Sequence, residues 1–245
     1  MELHFWAIQS IKVVILFLVA YGNGLLVRHK GIKVNYTRKI DHFALFFLTI
    51  YFDRSFAYNN SPYHLLMGAL FGISVIVVFM KPVRDRIPYV ATMFLSFDRP
   101  EDRPNTLLWF FSQVIVGFLV VIPITILFER YGLLDLLLIP ILINGIGDGL
   151  AEPIGVRFGR HKYNAYALFS KKKYVRTIEG SACVFITSII VMAAHYFCFT
   201  KIQFAFAIII IPVLMTLAEA FSPHTWDTPF LFFVGFLSLF LISVL

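Results

Sequence analysis

The sequence predicts an all-α fold, a polytopic transmembrane helical bundle of about eight spans. Three observations carry this. Hydrophobic residues make up 59% of the 245-residue chain and charged residues only 14%, where a soluble domain is about a quarter charged. Apolar runs of about 18 to 22 residues recur, the length that crosses a hydrocarbon layer of roughly 30 Å. The runs are continuous rather than alternating, which argues against a β-barrel.

The spans are expected in order, with boundaries loose by several residues. The first is Phe5–Val27; its opening "MELHFW" lacks the basic start and small-residue cleavage site of a signal peptide, so it reads as the entry to a retained helix. Lys12 inside it is expected to snorkel to an interface. The second, Ile40–Phe56, is short. Tyr63–Met80, Leu107–Phe128 and Leu133–Ile154 follow, then Ser181–Phe199, Ile202–Ala220 and Pro229–Leu245. Neither an internal repeat nor a soluble domain is visible, so residues 1–245 read as a single membrane-embedded domain.

Charge placement orients the bundle. Arg28, Lys30, Lys33, Arg38 and Lys39 follow span one, and Lys81, Arg84, Arg86, Arg99 and Arg103 follow span three. Arg157, Arg160, Lys162, Lys171, Lys172, Lys173 and Arg176 follow span five, while the intervening connections hold only Arg54, Arg130 and Lys201. Lys and Arg collect in cytoplasmic loops. The alternation places the three basic loops in the cytoplasm and both termini outside. It also accounts for the net charge of +7 without a nucleic-acid partner. The two cysteines, Cys183 and Cys198, share one apolar run and form no disulfide framework or zinc spacing. His29, His161, His195 and His224 show no metal-ligand spacing either. The aromatic stripes read as lipid-facing.

Carboxylates gather at the cytoplasmic helix ends: Asp148 and Glu152 near the end of span five, Glu179 before span six, Glu219 at the end of span seven and Asp227 before span eight. A carboxylate at the bilayer centre costs roughly 2.5–3.5 kcal/mol even on a lenient scale, so these acids belong at a protein interior or a wet interface. Asp148 and Glu152 are four apart and share a helix face. Paired hard oxygens of this kind suit Mg²⁺, which takes one or two carboxylates together with waters and substrate phosphates. The alternative is pairing with arginines to hold the loop.

Gly145, Gly147, Gly149, Gly155 and Gly159 surround these acids. They allow either close helix packing or the approach of a phosphate to backbone N–H groups. No GxxxxGK[ST] P-loop or Rossmann unit is present. Arg38 and Lys39, followed by Asp41 and His42, offer phosphate-binding cations. "KKK" at Lys171–Lys173 reads as a topology or anionic-lipid signal. The mixed-charge stretch "FDRPEDRPNT" is expected either to order against a nucleotide or to form a stiff solvated connection.

Four blocks then resemble the membrane lipid-kinase family of dolichol kinase, phytol kinase and CTP-dependent diacylglycerol kinase. "RKIDH" at Arg38–His42 is similar to the family's Arg-Lys-x-x-His. "GDGLAEPIGVRFGRHK" from Gly147 to Lys162 resembles the central Gly-Asp pattern, with Gly155 seven residues after Asp148 and then Arg-Phe-Gly. "RTIEGS" at Arg176–Ser181 is similar to Lys-Ser-x-Glu-Gly-Ser, with Arg176 in place of lysine. "EAFSPHTWD" at Glu219–Asp227 resembles a Glu-Ala stretch followed by Asp-Asn, with Thr228 in place of asparagine.

The resemblance implies transfer of a terminal phosphoryl group from a nucleotide, CTP or another NTP, to the hydroxyl of a membrane lipid alcohol. A polyprenol, phytol or a diacylglycerol would be the acceptor, at the cytoplasmic membrane face. With the charges above, it points to Asp148, Arg38, Lys39 and Glu179 as catalytic groups. Gly147, Gly149, Gly155, Arg157, Gly159, Arg160, Arg176 and Asp227 would bind nucleotide or phosphate, and Asp148, Glu152 and Glu219 would hold Mg²⁺ or another divalent cation. Phosphoryl transfer asks for this kind of positioning and charge neutralisation more than for covalent chemistry. A CDP-alcohol phosphotransferase does not fit, because Ala151 comes one position early and is followed by Glu152 and Pro153. A phosphatidate cytidylyltransferase-like CTP transferase and a small-solute transporter remain as alternatives. For a transporter, the midplane offers few groups: Ser112, Gln113 and His195.

Overall fold

The computed structural model describes residues 2–56, 62–168 and 170–244; Leu245, the end of the eighth expected span, lies outside them. The chain is predominantly helical and divides into two units, 1–112 and 113–245.

In the first unit, α1 (Glu2–Lys30) packs on α2 (Val34–Ser55) and on α5 (Pro88–Leu95). Gly24 lets α1 meet α5, since a Cβ there would collide with the Thr92 carbonyl oxygen. α1 stops at Gly31, whose φ of +62° is the left-handed value glycine adopts most easily. Between these elements run α3 (Pro62–Ile76) and the short α4 (Lys81–Arg84). Phe79, Val90 and Phe94 form a small core, with Phe17, Phe97 and Leu107 against it.

Two expectations change here. Lys12 has a protein partner: it is 7% exposed and its Nζ lies 3.1 Å from Asp53 Oδ1 on α2. An isolated ammonium would be too costly to bury in this position, and the carboxylate compensates it. The "FDRPEDRPNT" stretch is not a solvated connection. Asp98, Arg99 and Asp102 are all buried. Arg99 Nε donates to Asp102 at 2.7 Å, Arg103 Nε donates to Asp98 at 2.8 Å, and Thr106 donates to Asp98 at 2.7 Å.

In the second unit, α6 (Thr106–Arg130), which begins in the first, is followed by a helical path from Leu134 to Phe158. That path comprises a 3₁₀ turn, α7 (Leu138–Leu142), a π-helical turn at Ile143–Asp148 and α8 (Gly149–Phe158). A hairpin of β1 (Lys162–Ala167) and β2 (Ser170–Thr177) leads to α9 (Ile178–Ala194). α10 (Lys201–Phe221) starts with a capping box between Thr200 and Gln203, and α11 (Asp227–Ser243) ends the unit. α9 packs on the π turn, on α8 and on α10, and α10 packs on α11. Phe128, Ile139, Val184, Met192, Ile211, Met215, Leu231 and Phe236 are fully enclosed.

Four helices are long and apolar enough to cross a membrane: His4–Lys30, Thr106–Arg130, Leu134–Phe158 and Lys201–Phe221. Tyr63–Phe79, Ile178–Ala194 and Asp227–Ser243 are apolar but shorter. This is fewer than the eight expected, and α2 is absent from both groups. The helix carries Arg38, Lys39, Asp41, Asp53 and Arg54, and its burial explains how. It exposes Ile40, Leu45, Phe47 and Tyr51 while burying Thr37, Lys39 and Phe52. In the second unit, exposed Ile186, Ile190, Ile202, Ile209 and Leu241 give α9, α10 and α11 an apolar outer surface of their own. Such a surface is compatible with lipid and is far more apolar than water tolerates over a contiguous area.

Candidate functional site

The π turn at Ile143–Asp148 covers the "NGIGD" stretch. A π segment inside a helix costs hydrogen-bond geometry and recurs at functional sites. It is seated by close packing: a Cβ on Gly147 would stand 3.0 Å from Val184 Cα on α9. The other motif glycines act alike. A Cβ on Gly155 would stand 2.7 Å from Thr177 Oγ1, one on Gly159 would collide with Thr177, and one on Gly180 would stand 2.7 Å from the Ala151 carbonyl oxygen. Thr177 is therefore gripped by two glycines of the central block. It also caps α9, accepting from the Gly180 N–H at 3.1 Å. Close helix packing accounts for these glycines.

The hairpin, which lies in the basic loop expected after span five, carries the next part. It pairs Tyr163 with Arg176 and Ala165 with Tyr174 across the strands. This face turns inward: Ala165 and Tyr174 are buried and Tyr163 is half-buried. Tyr174 stacks on His224 at 3.7 Å, and the His224 N–H donates to the Tyr166 carbonyl at 2.7 Å. The hairpin is thereby docked on the connection between α10 and α11.

Arg176 is the centre of the arrangement. Its Nη1 lies 3.4 Å from Glu219 Oε1 and donates to Ser222 Oγ at 3.1 Å. The two side chains are 11% and 6% exposed. Burial opposes the guanidinium charge, but the negative charges of Asp227, Glu219 and Asp148 outweigh it and push the Arg176 pKa up. The second oxygen of Glu219 accepts from Ser181 Oγ at 2.7 Å, and Ser181 Oγ lies 2.7 Å from the Tyr163 hydroxyl. Burial and then the Glu219 charge raise the Tyr163 phenol above its ordinary value, so it stays protonated at neutral pH.

Three of the four sequence blocks therefore meet around Arg176, through Asp148, Arg176 itself with Ser181, and Glu219 with Asp227. Other expected site residues stand apart. Glu179 faces His161, whose backbone N–H donates to it at 3.2 Å and whose Nδ1 lies 2.8 Å away. Hydrogen bonds from the backbone and from His161 hold Glu179 down to about 2. Neither Glu179 nor Glu152 is among the groups that act on Arg176. Arg157 and Arg160 are exposed, Arg157 lying over the Phe158 ring at 5.4 Å. Gly149 is buried at the start of α8.

The expected open approach to Asp148 is corrected: Asp148 is 4% exposed behind the packed π turn. Glu219 is also recast, because its two oxygens are engaged by Arg176 and Ser181. Glu152 and Asp227 are half-buried carboxylates that solvent reaches. Among the described residues, no three His, Cys, Asp or Glu side chains are close enough to form a metal site by themselves.

Arg38 and Lys39 stand in the first unit in their own setting. Lys39 is 2% exposed and Arg38 is half-buried. Asp41 next to them joins three helices. It accepts from Asn23 Nδ2 at 2.6 Å and from Ser96 Oγ, while Thr37 Oγ1 donates to the Ser96 carbonyl at 2.7 Å.

Tyr163 and Ser181 were not singled out from the sequence. Ser181 closes the "RTIEGS" block, and Tyr163 shows only as an aromatic in an alternating stretch. Compared with known proteins, the chain matches no family model, no curated protein and no solved structure.

Proposed function

We propose that the protein transfers a phosphoryl group from a nucleoside triphosphate, commonly CTP, to the hydroxyl of a membrane lipid alcohol at the cytoplasmic face of a membrane. The observation that carries this reading is that Arg176, its side chain 11% exposed, pairs with Glu219 and takes up the charges of Asp227 and Asp148, which belong to separate motif blocks. A guanidinium is the side chain best suited to hold a phosphate by a planar fork. The carboxylates are the groups that would repel a nucleotide unless a divalent cation lay between them.

Mg²⁺ fits the donor set in its usual manner, with one or two protein carboxylates and the remaining positions on phosphate and water. Asp227 and Glu152, both half-buried, are the carboxylates proposed for that role, with Asp148 enclosed in the π turn. When bound, the cation supplies charge neutralisation to the phosphates. Arg176 holds phosphate oxygens, and Glu219 with Ser222 holds Arg176 in place.

The membrane arrangement proposed with this function keeps eight spans, including α2. Only with α2 crossing do all three basic loops fall on one side. Its inward polar face, outward apolar face and Lys12–Asp53 pair are how a charged helix is tolerated in lipid.

The test is to incubate the purified protein with labelled CTP or ATP, Mg²⁺ and a panel of polyprenol, phytol, farnesol and diacylglycerol. Phospholipid with nucleoside diphosphate supports the proposal. CDP-lipid with pyrophosphate identifies a cytidylyltransferase instead, and solute uptake without nucleotide turnover identifies a transporter.

A further inference from the structure

We infer that the phenolic oxygen of Tyr163 is the docking point for the hydroxyl group of an alcohol ligand, aimed by the chain Tyr163–Ser181–Glu219–Arg176. This deepens the lipid-alcohol reading above and rests on it for the class of ligand.

Counting hydrogens fixes the direction of the chain. Ser181 Oγ has one hydrogen. Glu219, a carboxylate beside Arg176, only accepts, and its Oε2 lies 2.7 Å from Ser181 Oγ, while the other acceptor in reach, the Thr177 carbonyl, is 3.4 Å away. The serine hydrogen therefore points to Glu219. The 2.7 Å contact between Ser181 Oγ and the Tyr163 hydroxyl must then be donated by Tyr163. The tyrosine hydrogen is committed, and the phenolic oxygen presents acceptor lone pairs only. Its raised pKa keeps that hydrogen in place at neutral pH.

A group that completes the chain must donate a hydrogen bond to this oxygen. Ketones, esters and ethers cannot. An ammonium donates, but Arg176 is the cross-strand neighbour of Tyr163 and a second cation beside it is repelled. A neutral hydroxyl satisfies both conditions. Tyr163 is half-buried, so part of its side chain remains open to a ligand. Exposed Phe158 and Ile178, which flank the base of the hairpin, offer apolar surface to an attached tail. The docked hydroxyl is held next to Arg176, the residue assigned above to phosphate.

The experiment compares farnesol with farnesyl methyl ether, which differ in the donor hydrogen, on the full-length purified protein. Binding is followed by tryptophan fluorescence. Farnesol should bind about tenfold more tightly than the ether, the worth of one well-placed hydrogen bond. Tyr163→Phe should abolish that preference without weakening the ether. Ser181→Ala should reduce it, and Ser181→Thr, which keeps the hydroxyl, should restore it. Thermal melts monitor folding, and if Tyr163→Phe does not fold, the Ser181 pair decides. Equal binding of alcohol and ether, or a preference that survives Tyr163→Phe, overturns the inference. A preference lost in Tyr163→Phe with no phosphoryl transfer by the wild type leaves the docking point standing and removes the kinase reading. Wild-type kcat/KM for the alcohol in Tyr163→Phe does the reverse.

Discussion

Arg176→Met is the substitution whose consequence the structure states most fully. The guanidinium is 11% exposed, pairs with Glu219 at 3.4 Å and donates to Ser222 at 3.1 Å. Asp148 and Asp227 add their charges at the same point. Removing one partner of a buried pair leaves the other charge uncompensated, which costs about 3–5 kcal/mol. For a chain of this size that lowers the melting temperature by about 6–20 °C. The assay is thermal unfolding in detergent, followed by the loss of the monodisperse peak in size exclusion. Arg176→Met with Glu219→Gln should recover much of the loss, because the second change removes the stranded charge. Arg176→Lys should fall between, since it keeps a cation and loses the fork. A single Arg176→Met variant as stable as the wild type would refute the claim that Arg176 neutralises this cluster.

Other outcomes follow from the same structure. Asp148→Asn should insert, melt cooperatively and lose phosphotransfer; a folded variant with full activity would separate Asp148 from the reaction. Gly155→Ala should destabilise by about 1–3 kcal/mol through overpacking, because its Cβ would stand 2.7 Å from Thr177 Oγ1, and Thr177→Ala should relieve part of this in a melting assay. Glu179 is depressed to about 2, so its pairing stabilises fully above the ordinary carboxylate range and is lost as pH falls towards 2. The melting temperature of Glu179→Gln should therefore depend less on pH across that window. Single cysteines placed at the two termini, after replacement of Cys183 and Cys198, should label from the same, non-cytoplasmic side. Labelling from opposite sides would mean that α2 does not cross.

The long apolar helices were legible because length and hydropathy alone define them. Seven of the eight expected segments coincide with apolar helices. The exception, α2, is too charged to stand out by composition: it buries Thr37, Lys39 and Phe52 and exposes Ile40, Leu45, Phe47 and Tyr51, and a linear reading cannot tell one face of a helix from the other. Lys12 is similar: its partner Asp53 lies 41 residues away in sequence. The "FDRPEDRPNT" stretch looked like solvated loop by composition, yet its charges satisfy one another at three and five residues' separation. The hairpin is hard to read although "KYNAYA" alternates at the strand period, because its exposed face mixes Lys162, Asn164 and Lys173 with Tyr166 and Val175 and forms no apolar run. The acidic residues were named individually, but their division was not legible. Asp148, Glu219 and Asp227 gather on Arg176, while Glu179 goes to His161. That sorting depends on the hairpin, which places Arg176 inward and brings in Tyr163, a residue with no acidic or basic signature to mark it.

The central claim is phosphoryl transfer at the Arg176 cluster. Its most direct measurement is transfer of a γ-labelled phosphate from CTP or ATP to a lipid alcohol by the purified protein with Mg²⁺, run beside Asp148→Asn. The account predicts that the label appears in a phospholipid product, that nucleoside diphosphate forms in equal amount, and that Asp148→Asn abolishes both while remaining folded. Absence of labelled lipid with every nucleotide and alcohol in the panel, from protein that melts cooperatively, would contradict it.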